Sequence, residues 1–347
     1  MFKVSNKKIG RDAPPFIIAE ISANHNGSID LAKKSIKAAK EAGASAVKIQ
    51  SYTADTMTID CDKSDFMIEE GLWKGKKLFD LYTEAGTPFE WHKQLFDFAE
   101  EEGVLLFSTP FDETAVDLLV SLNTPAFKIA SFEIIDTPLI KYIAKQNKPI
   151  FMSTGMSSLD EIESAINTIR NEGNDDILLF HCISGYPTPV SQTNLGNIKI
   201  LSERFDLPVG LSDHTLSNTA SIASLSIGAV AFEKHFILDR SLGGPDSSFS
   251  LEPNQFKSLV DDCNDTFFAL SNKNFSRSEV EEQNKKFRRS LYFVEDLTSG
   301  TTVEAKHIRR IRPGYGLNPD MLPLVLGKKL LVNIERGTPV SMRVLDK

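Results

Sequence analysis

Two histidines carry the clearest chemical signal in this chain: His214 in GLSDHT and His235 in EKHF, each at the end of a short apolar run. A neutral imidazole binds divalent cations well, and two protein ligands leave coordination positions open for substrate and water. A solitary histidine in such a place is more often a core residue bonded to backbone. Two of them closing neighbouring runs point to a metal. Asp213 and Glu233 stand close enough in sequence to orient the rings. His25 and His181 are weaker metal candidates, and His92 and His307 read as solvated.

A second pair repeats a context. Lys48 lies in AVKIQ and Lys128 in AFKIA. An ammonium inside an apolar run is costly unless an anion meets it. One such lysine would be read as snorkelling to a rim, but two in matching contexts indicate a shared anion, beside which both stay protonated. The hydroxyls of Thr109, Ser131, Ser153 and Ser212 complete a site suited to a small phosphate- or carboxylate-bearing ligand. Glu20 and Glu133 offer carboxyls for proton transfer, and Glu20 is also a natural ion-pair partner for either lysine. Tyr186 and Asp246 fall in loops, where Asp246 either meets ligand hydroxyls or caps the helix that follows. Arg312, in IRPGYG, is framed by rigid turn residues and matters only if its domain closes over a barrel.

All of these residues but His92, His307 and Arg312 occur at one end of a repeating unit. Short apolar runs at 16–21, 46–50, 104–108, 126–129, 149–153, 177–181, 208–211 and 229–236 alternate with helical patterns such as 29–42, 88–102, 112–122, 158–171 and 216–227. Runs apolar on both sides read as strands buried on both faces. Eight such units predict an α/β fold, a (β/α)₈ TIM barrel over residues 1–270, whose strand C-termini form the active face. An open doubly wound sheet is the competing architecture, but no GxGxxG follows the first strand. The 51–87 connection, with GLWKGKKLFDLY, is too long for an ordinary loop and predicts an ordered cover over the mouth. Residues 271–289 read as a polar linker and 290–347 as a small domain that must dock on something. Extended, that linker would span up to roughly 60 Å, enough to reach a neighbouring subunit.

Bulk properties narrow the function classes. The 347 residues carry a net charge of −8 with no basic block, which argues against nucleic acid and anionic membranes as partners. Cys61, Cys182 and Cys263 show no CxxC or disulfide spacing, and no signal peptide or membrane span is apparent. These features predict a soluble cytoplasmic protein.

The segments AEISANHNGS, AVKIQSYT, STPFD, FKIASFE, STGMSSLDEI, GLSDHT, EKHF and IRPGYG resemble the sialic acid synthase family along the whole chain. The C-terminal unit is similar to that family's SAF, or antifreeze-like, domain. GLWKGKKLFDLY, SLGGPDSSFSLEP and KFRRSLYFVED resemble its pseudaminic acid branch. The resemblance implies a transferase that condenses phosphoenolpyruvate with an amino-sugar aldehyde and water, releasing phosphate and a nonulosonic acid. For that branch the sugar is 2,4-diacetamido-2,4,6-trideoxy-L-altrose. It further implies His214 and His235 as ligands of Mn²⁺ or Mg²⁺. Lys48, Thr109, Lys128, Ser131, Ser153 and Ser212 would surround phosphoenolpyruvate; Glu20, Tyr186 and Asp246 would face the sugar. Arg312 would reach the sugar from the partner subunit of a domain-swapped homodimer. Ser184 stands where sialic acid synthases carry Asn, which fits the pseudaminic branch better than an N-acetylmannosamine substrate.

Other readings stay open at this point. N-acetylneuraminate and legionaminic acid synthases run the same chemistry on different sugars. A class I aldolase would use Lys48 or Lys128 as a neutral Schiff-base nucleophile. A non-catalytic sugar-binding barrel would be expected to have lost some of its strand-end residues.

Overall fold

Period-two alternation explains the architecture: every second residue of a strand points to the same face, and here both faces are buried. The computed structural model describes residues 2–271 and 274–347; Met1, and Asn272 and Lys273 of the expected linker, lie outside the described residues. The chain divides into two compact units, Met1–Ser271 and Asn272–Lys347. The first opens with a hairpin, β1 (Phe2–Val4) antiparallel to β2 (Lys7–Ile9), which the apolar pattern did not signal. Eight parallel strands follow: β3 (Phe16–Glu20), β4 (Ala46–Ser51), β5 (Leu105–Pro110), β6 (Phe127–Ile129), β7 (Ile150–Ser153), β8 (Ile177–Cys182), β9 (Val209–Ser212) and β10 (Ala231–His235). They close into a barrel, with β10 pairing to β3. All eight expected strands are present, shifted at their ends by one or two residues.

The barrel interior is stratified. Phe16, Ile18, Phe107, Phe151, Leu178 and Phe180 pack with Phe2, Val4 and Ile9 of the hairpin into a dry lower layer. Phe151 is its hub, with ring centroids 5.3 Å from Phe2, 5.2 Å from Phe107 and 5.7 Å from Phe180. Truncating such a ring costs about 3–5 kcal/mol. Gly210 makes room for Phe180, since a Cβ there would meet the Phe180 ring at 2.6 Å. Two residues further along the strands the same inward face turns polar, at Glu20, Lys48, Ser153, Cys182, Ser212 and Glu233.

Local signals set the outer helices. Ser158 accepts a hydrogen bond from the Glu161 amide at 3.3 Å and the Glu161 carboxylate accepts one from the Ser158 amide, a capping box that starts helix Leu159–Asn171. Asp112 caps Glu113–Ser121 by accepting from the Ala115 amide at 2.7 Å. Gly103 ends Phe89–Glu102 at φ 73°, the left-handed position that suits glycine. Short helices at Thr137–Ala144 and Gly196–Phe205 supply the crossovers that periodicity left unassigned. The 51–87 connection is ordered, holding helices Ala54–Met57 and Leu78–Ala85.

In the second unit, β11 (Ser290–Phe293) pairs antiparallel with β12 (Ile308–Ile311). Leu291, Phe293, Val303, Ile308, Val325, Leu330, Ile334, Val340 and Leu345 form its own small core. The segment expected as a linker carries a helix, Glu279–Asn284, started by a Ser278–Glu281 capping box.

Candidate active site

The polar layer of the barrel is a charge network. Glu233 holds both lysines, with Lys48 Nζ 3.1 Å from Oε2 and Lys128 Nζ 3.3 Å from Oε1. Ser212 donates to the same Oε1 at 3.1 Å. Lys48 also lies 3.2 Å from Glu20, whose other oxygen accepts from Gln50. All four charged groups are buried. Burial works against charge on Lys48, but Glu20 and Glu233 together hold it protonated above its ordinary value. Glu233 is driven the other way by the two lysines, well below the ordinary carboxylate range despite its burial. Lys128 differs from the expectation for a firmly protonated lysine: burial pulls it down, offset in part by Glu233. Glu20 is raised to about 7, because its burial outweighs Lys48 and Glu233 repels it.

Buried side-chain oxygens around this network lack partners. Thr109 Oγ1, Ser153 Oγ and Glu133 Oε2 are enclosed with no hydrogen bond from the protein. Buried polar atoms are nearly always satisfied, so three orphans at neighbouring strand ends mark a place for a polar ligand. Ser131 is engaged by the Gly155 amide at 3.0 Å. A Cβ on Gly155 would come within 2.6 Å of the Ser184 hydroxyl and 2.7 Å of the Ser131 hydroxyl, so only glycine lets this turn approach. Burial raises the Glu133 carboxyl to about 7, with Lys128 opposing.

The two histidines stand above the charge network with ring centroids 5.5 Å apart. His214 Nδ1 lies 2.9 Å from the Ile183 carbonyl. A carbonyl only accepts, so Nδ1 bears the proton and Nε2 keeps its lone pair in the neutral ring. His235 Nδ1 is buried without a partner, and Asp246 Oδ2 is 3.9 Å away. Burial, with His214 next, keeps the His235 ring neutral by pulling its pKa well below the ordinary value. Burial works against charge on His214, but Cys182 and the Ile183 carbonyl raise its pKa above the ordinary value, so its Nε2 lone pair becomes free on deprotonation. Two imidazoles that then each present a lone pair fit a divalent cation. Among the described residues no three or more His, Cys, Asp or Glu form a ligand set by themselves, so such a cation would keep open positions.

The expected orienting partners of the histidines are otherwise occupied. Asp213 accepts from Lys234 Nζ and Ser221 Oγ, each at 2.8 Å, on the outer face of the barrel. Glu233 serves the lysines. The Ile183 carbonyl does for His214 what Asp213 was expected to do. His92 is not solvated: its Nε2 lies 2.6 Å from Ser51 Oγ and its Nδ1 3.0 Å from the Pro88 carbonyl. His307 is buried too, accepting from the Glu304 amide at 3.0 Å. His181 is spent on the Thr193 carbonyl at 2.7 Å. Asp246 makes no cap; it accepts from the Ala23 amide at 3.4 Å and faces His235.

Tyr186 covers the histidines, its ring 4.4 Å from His214 and 5.2 Å from Phe249. Phe249 in turn lies 4.8 Å from His235. Sequence reasoning missed Phe249, and it missed Cys182, whose sulfur is 4.0 Å from His214 Nδ1. Burial raises that thiol, but His214 and Lys128 bring it down to about 7. The inward phase of β8 was the signal that could have placed Cys182 here. Glu20, Lys48, Thr109, Lys128, Ser131, Glu133, Ser153, Tyr186, Ser212, His214, His235 and Asp246 thus belong to the first unit and its strand ends. Arg312 lies exposed in the second unit, just beyond β12.

Comparison with known proteins places this geometry. The NeuB family pattern matches residues 35–275, and a SAF domain matches residues 288–343. The chain belongs to the NeuB family and ends in a SAF domain. It is 43% identical to a pseudaminic acid synthase of Campylobacter jejuni subsp. jejuni over 94% of this chain and 95% of that one. It is 35% identical to an N,N'-diacetyllegionaminic acid synthase of Legionella pneumophila, over 96% and 97% of the two chains. The crystal structure of the spore coat polysaccharide biosynthesis protein SpsE of Bacillus subtilis superposes with a TM-score of 0.69 at 35% identity, covering 100% of this chain and 99% of that one.

Proposed function

We propose that this chain is a pseudaminic acid synthase, condensing phosphoenolpyruvate with 2,4-diacetamido-2,4,6-trideoxy-L-altrose and water to give pseudaminic acid and phosphate. The observation that carries the reading is the layered site: cations and orphaned hydroxyls on the floor, two imidazoles above them, aromatic rings on top. The greater identity to the Campylobacter pseudaminic acid synthase than to the legionaminic acid enzyme favours the altrose-configured sugar.

Phosphoenolpyruvate brings a carboxylate and a phosphate. Lys48 and Lys128 supply cations for them, with Thr109, Ser131 and Ser153 donating hydroxyl bonds and Ser212 joining them if its proton turns from Glu233 to the ligand. When bound at His214 and His235, Mn²⁺ or Mg²⁺ supplies Lewis-acid polarisation to an aldehyde oxygen. Tyr186 and Asp246 orient the sugar so that its aldehyde carbon faces the methylene of phosphoenolpyruvate. Holding two small reactants in that geometry can remove several kcal/mol of the barrier, with about 7–11 as the favourable extreme. The methylene carbon attacks, a carbon–carbon bond forms, and the aldehyde oxygen takes up a proton. Water adds to the phosphate-bearing carbon and gives up a proton, and the tetrahedral centre expels phosphate to leave the keto acid. Glu20 and Glu133, both held near neutrality, are the groups suited to those proton transfers.

We extend the proposal to a cytoplasmic homodimer in which the SAF domain of one copy covers the barrel of the other. Phe132, Ile135, Met156, Leu159, Val190 and Leu216, all in the segments that follow strands β6 to β9, are exposed apolar residues around the mouth. In the SAF domain, Ile311 and Tyr315 are exposed beside Arg312. An apolar collar at a polar active site suits a protein cover. Incubation with phosphoenolpyruvate and the diacetamido sugar, reading phosphate and product mass, tests the activity. Turnover of N-acetylmannosamine alone would overturn the assignment.

A further inference from the structure

The 51–87 connection does more than border the barrel. Trp73, half-buried at its tip, donates its indole N–H to the Pro245 carbonyl at 3.1 Å. Pro245 immediately precedes Asp246, the carboxylate facing His235. The indole centroid also lies 6.1 Å from the Tyr186 ring. One side chain therefore ties three separate connections together, those after β4, β8 and β10. Trp73, Tyr186 and Phe249 form a continuous aromatic wall, and Tyr186 and Phe249 rest directly on the two imidazoles.

The distribution of charge fixes what that wall can meet. The floor holds Lys48, Lys128 and the orphaned hydroxyls, so the anionic reactant belongs there. The aldehyde belongs next to the imidazoles. The far end of the sugar chain must then leave the floor along the wall. In the proposed substrate that end is a 6-deoxy carbon, a methyl group where an ordinary hexosamine carries a hydroxymethyl, with an acetamido group two carbons away on C4. An indole face accepts methyl groups readily and offers nothing to a hydroxyl, whose water would be lost without replacement.

We propose that Trp73 is a specificity-determining residue: its ring, latched by the Pro245 carbonyl, contacts the deoxygenated, acetamido-bearing end of the sugar and discriminates against a hydroxymethyl there. This rests on the synthase reading above. A tryptophan at a loop tip can also be simple packing, but Leu72 beside it is exposed, so the segment is not folded into a core of its own.

The test measures phosphate release by full-length wild-type protein, Trp73→Phe and Trp73→Ala, with phosphoenolpyruvate and either the diacetamido-trideoxy sugar or N-acetylmannosamine. The expected result for Trp73→Ala is a KM for the diacetamido sugar raised about tenfold to hundredfold, the range for apolar contacts of this size. The KM for phosphoenolpyruvate should stay within about twofold, because the floor is untouched. The preference for the diacetamido sugar over N-acetylmannosamine should fall by a similar factor. Trp73→Phe keeps a ring but loses the N–H, and should fall between the two; it also serves if the alanine variant does not fold. An unchanged preference in an active, folded variant overturns this inference and leaves the synthase reading standing. Wild-type protein that turns over neither sugar overturns the synthase reading, and this inference with it.

Discussion

Lys48 and Glu233 meet across the barrel interior at 3.1 Å although β4 and β10 are separated by β3, and the same carboxylate reaches Lys128 with its other oxygen. One anion thus stabilises two buried cations, the pair proposed above to receive phosphate. Replacing Glu233 with Gln leaves Glu20 beside Lys48 but strips Lys128 of its nearest counter-charge. Breaking a buried pair in this way costs about 3–5 kcal/mol. Urea unfolding should show that loss, and bound phosphate should restore part of it. A midpoint equal to wild type would mean the network is solvated.

The imidazole pair predicts a divalent cation with a readout independent of turnover. Calorimetric titration of the apo-protein with Mn²⁺ should show one site per chain, absent in His214→Ala and in His235→Ala. EDTA should abolish phosphate release and Mn²⁺ or Mg²⁺ restore it. Retained activity in demetallated protein would remove the cation from the account.

Glu133 gives a pH signature. Burial raises its carboxyl from an ordinary 4.5 to about 7. The native state therefore binds more protons than the unfolded chain between those values. Its contribution to stability is present below about 4.5 and is lost as pH rises through about 7. Glu133→Gln cannot ionise and escapes that loss. The variant should gain on wild type, by at most on the order of 3 kcal/mol, when unfolding is measured at pH 5 and then at pH 8. Parallel stability curves would show that Glu133 is solvated.

The covered-barrel dimer can be tested by complementation. Arg312→Ala and His214→Ala chains should each be nearly inactive. Co-refolded, they form heterodimers with one barrel and one covering SAF domain intact. For a two-fold dimer with random pairing, activity should recover to about a quarter of wild type. No recovery would mean each SAF domain serves its own barrel, or none.

Much of the architecture was legible because a parallel barrel writes itself as short runs buried on both faces. The polar ends of those runs named the candidate residues that the barrel brings to one end, since strand C-termini share one face. What escaped depends on tertiary partners. His92 looks like a solvated helix residue until Ser51 and Pro88 are brought to it. Asp213 looks like a histidine's partner until alternation turns it outward to Lys234. Phe249 and the Trp73–Pro245 hydrogen bond arise where loops distant in sequence converge, which no local pattern encodes. The hairpin β1–β2 is too short to show a period, yet it closes the lower layer of the barrel.

The most direct measurement of the central claim is a single incubation. Purified protein, phosphoenolpyruvate, Mn²⁺ and 2,4-diacetamido-2,4,6-trideoxy-L-altrose should release phosphate in step with a nine-carbon keto acid of the pseudaminic acid mass. Borohydride added with a keto acid should trap no lysine adduct. Phosphate release without that product, or a covalent adduct at Lys48 or Lys128, would contradict the account.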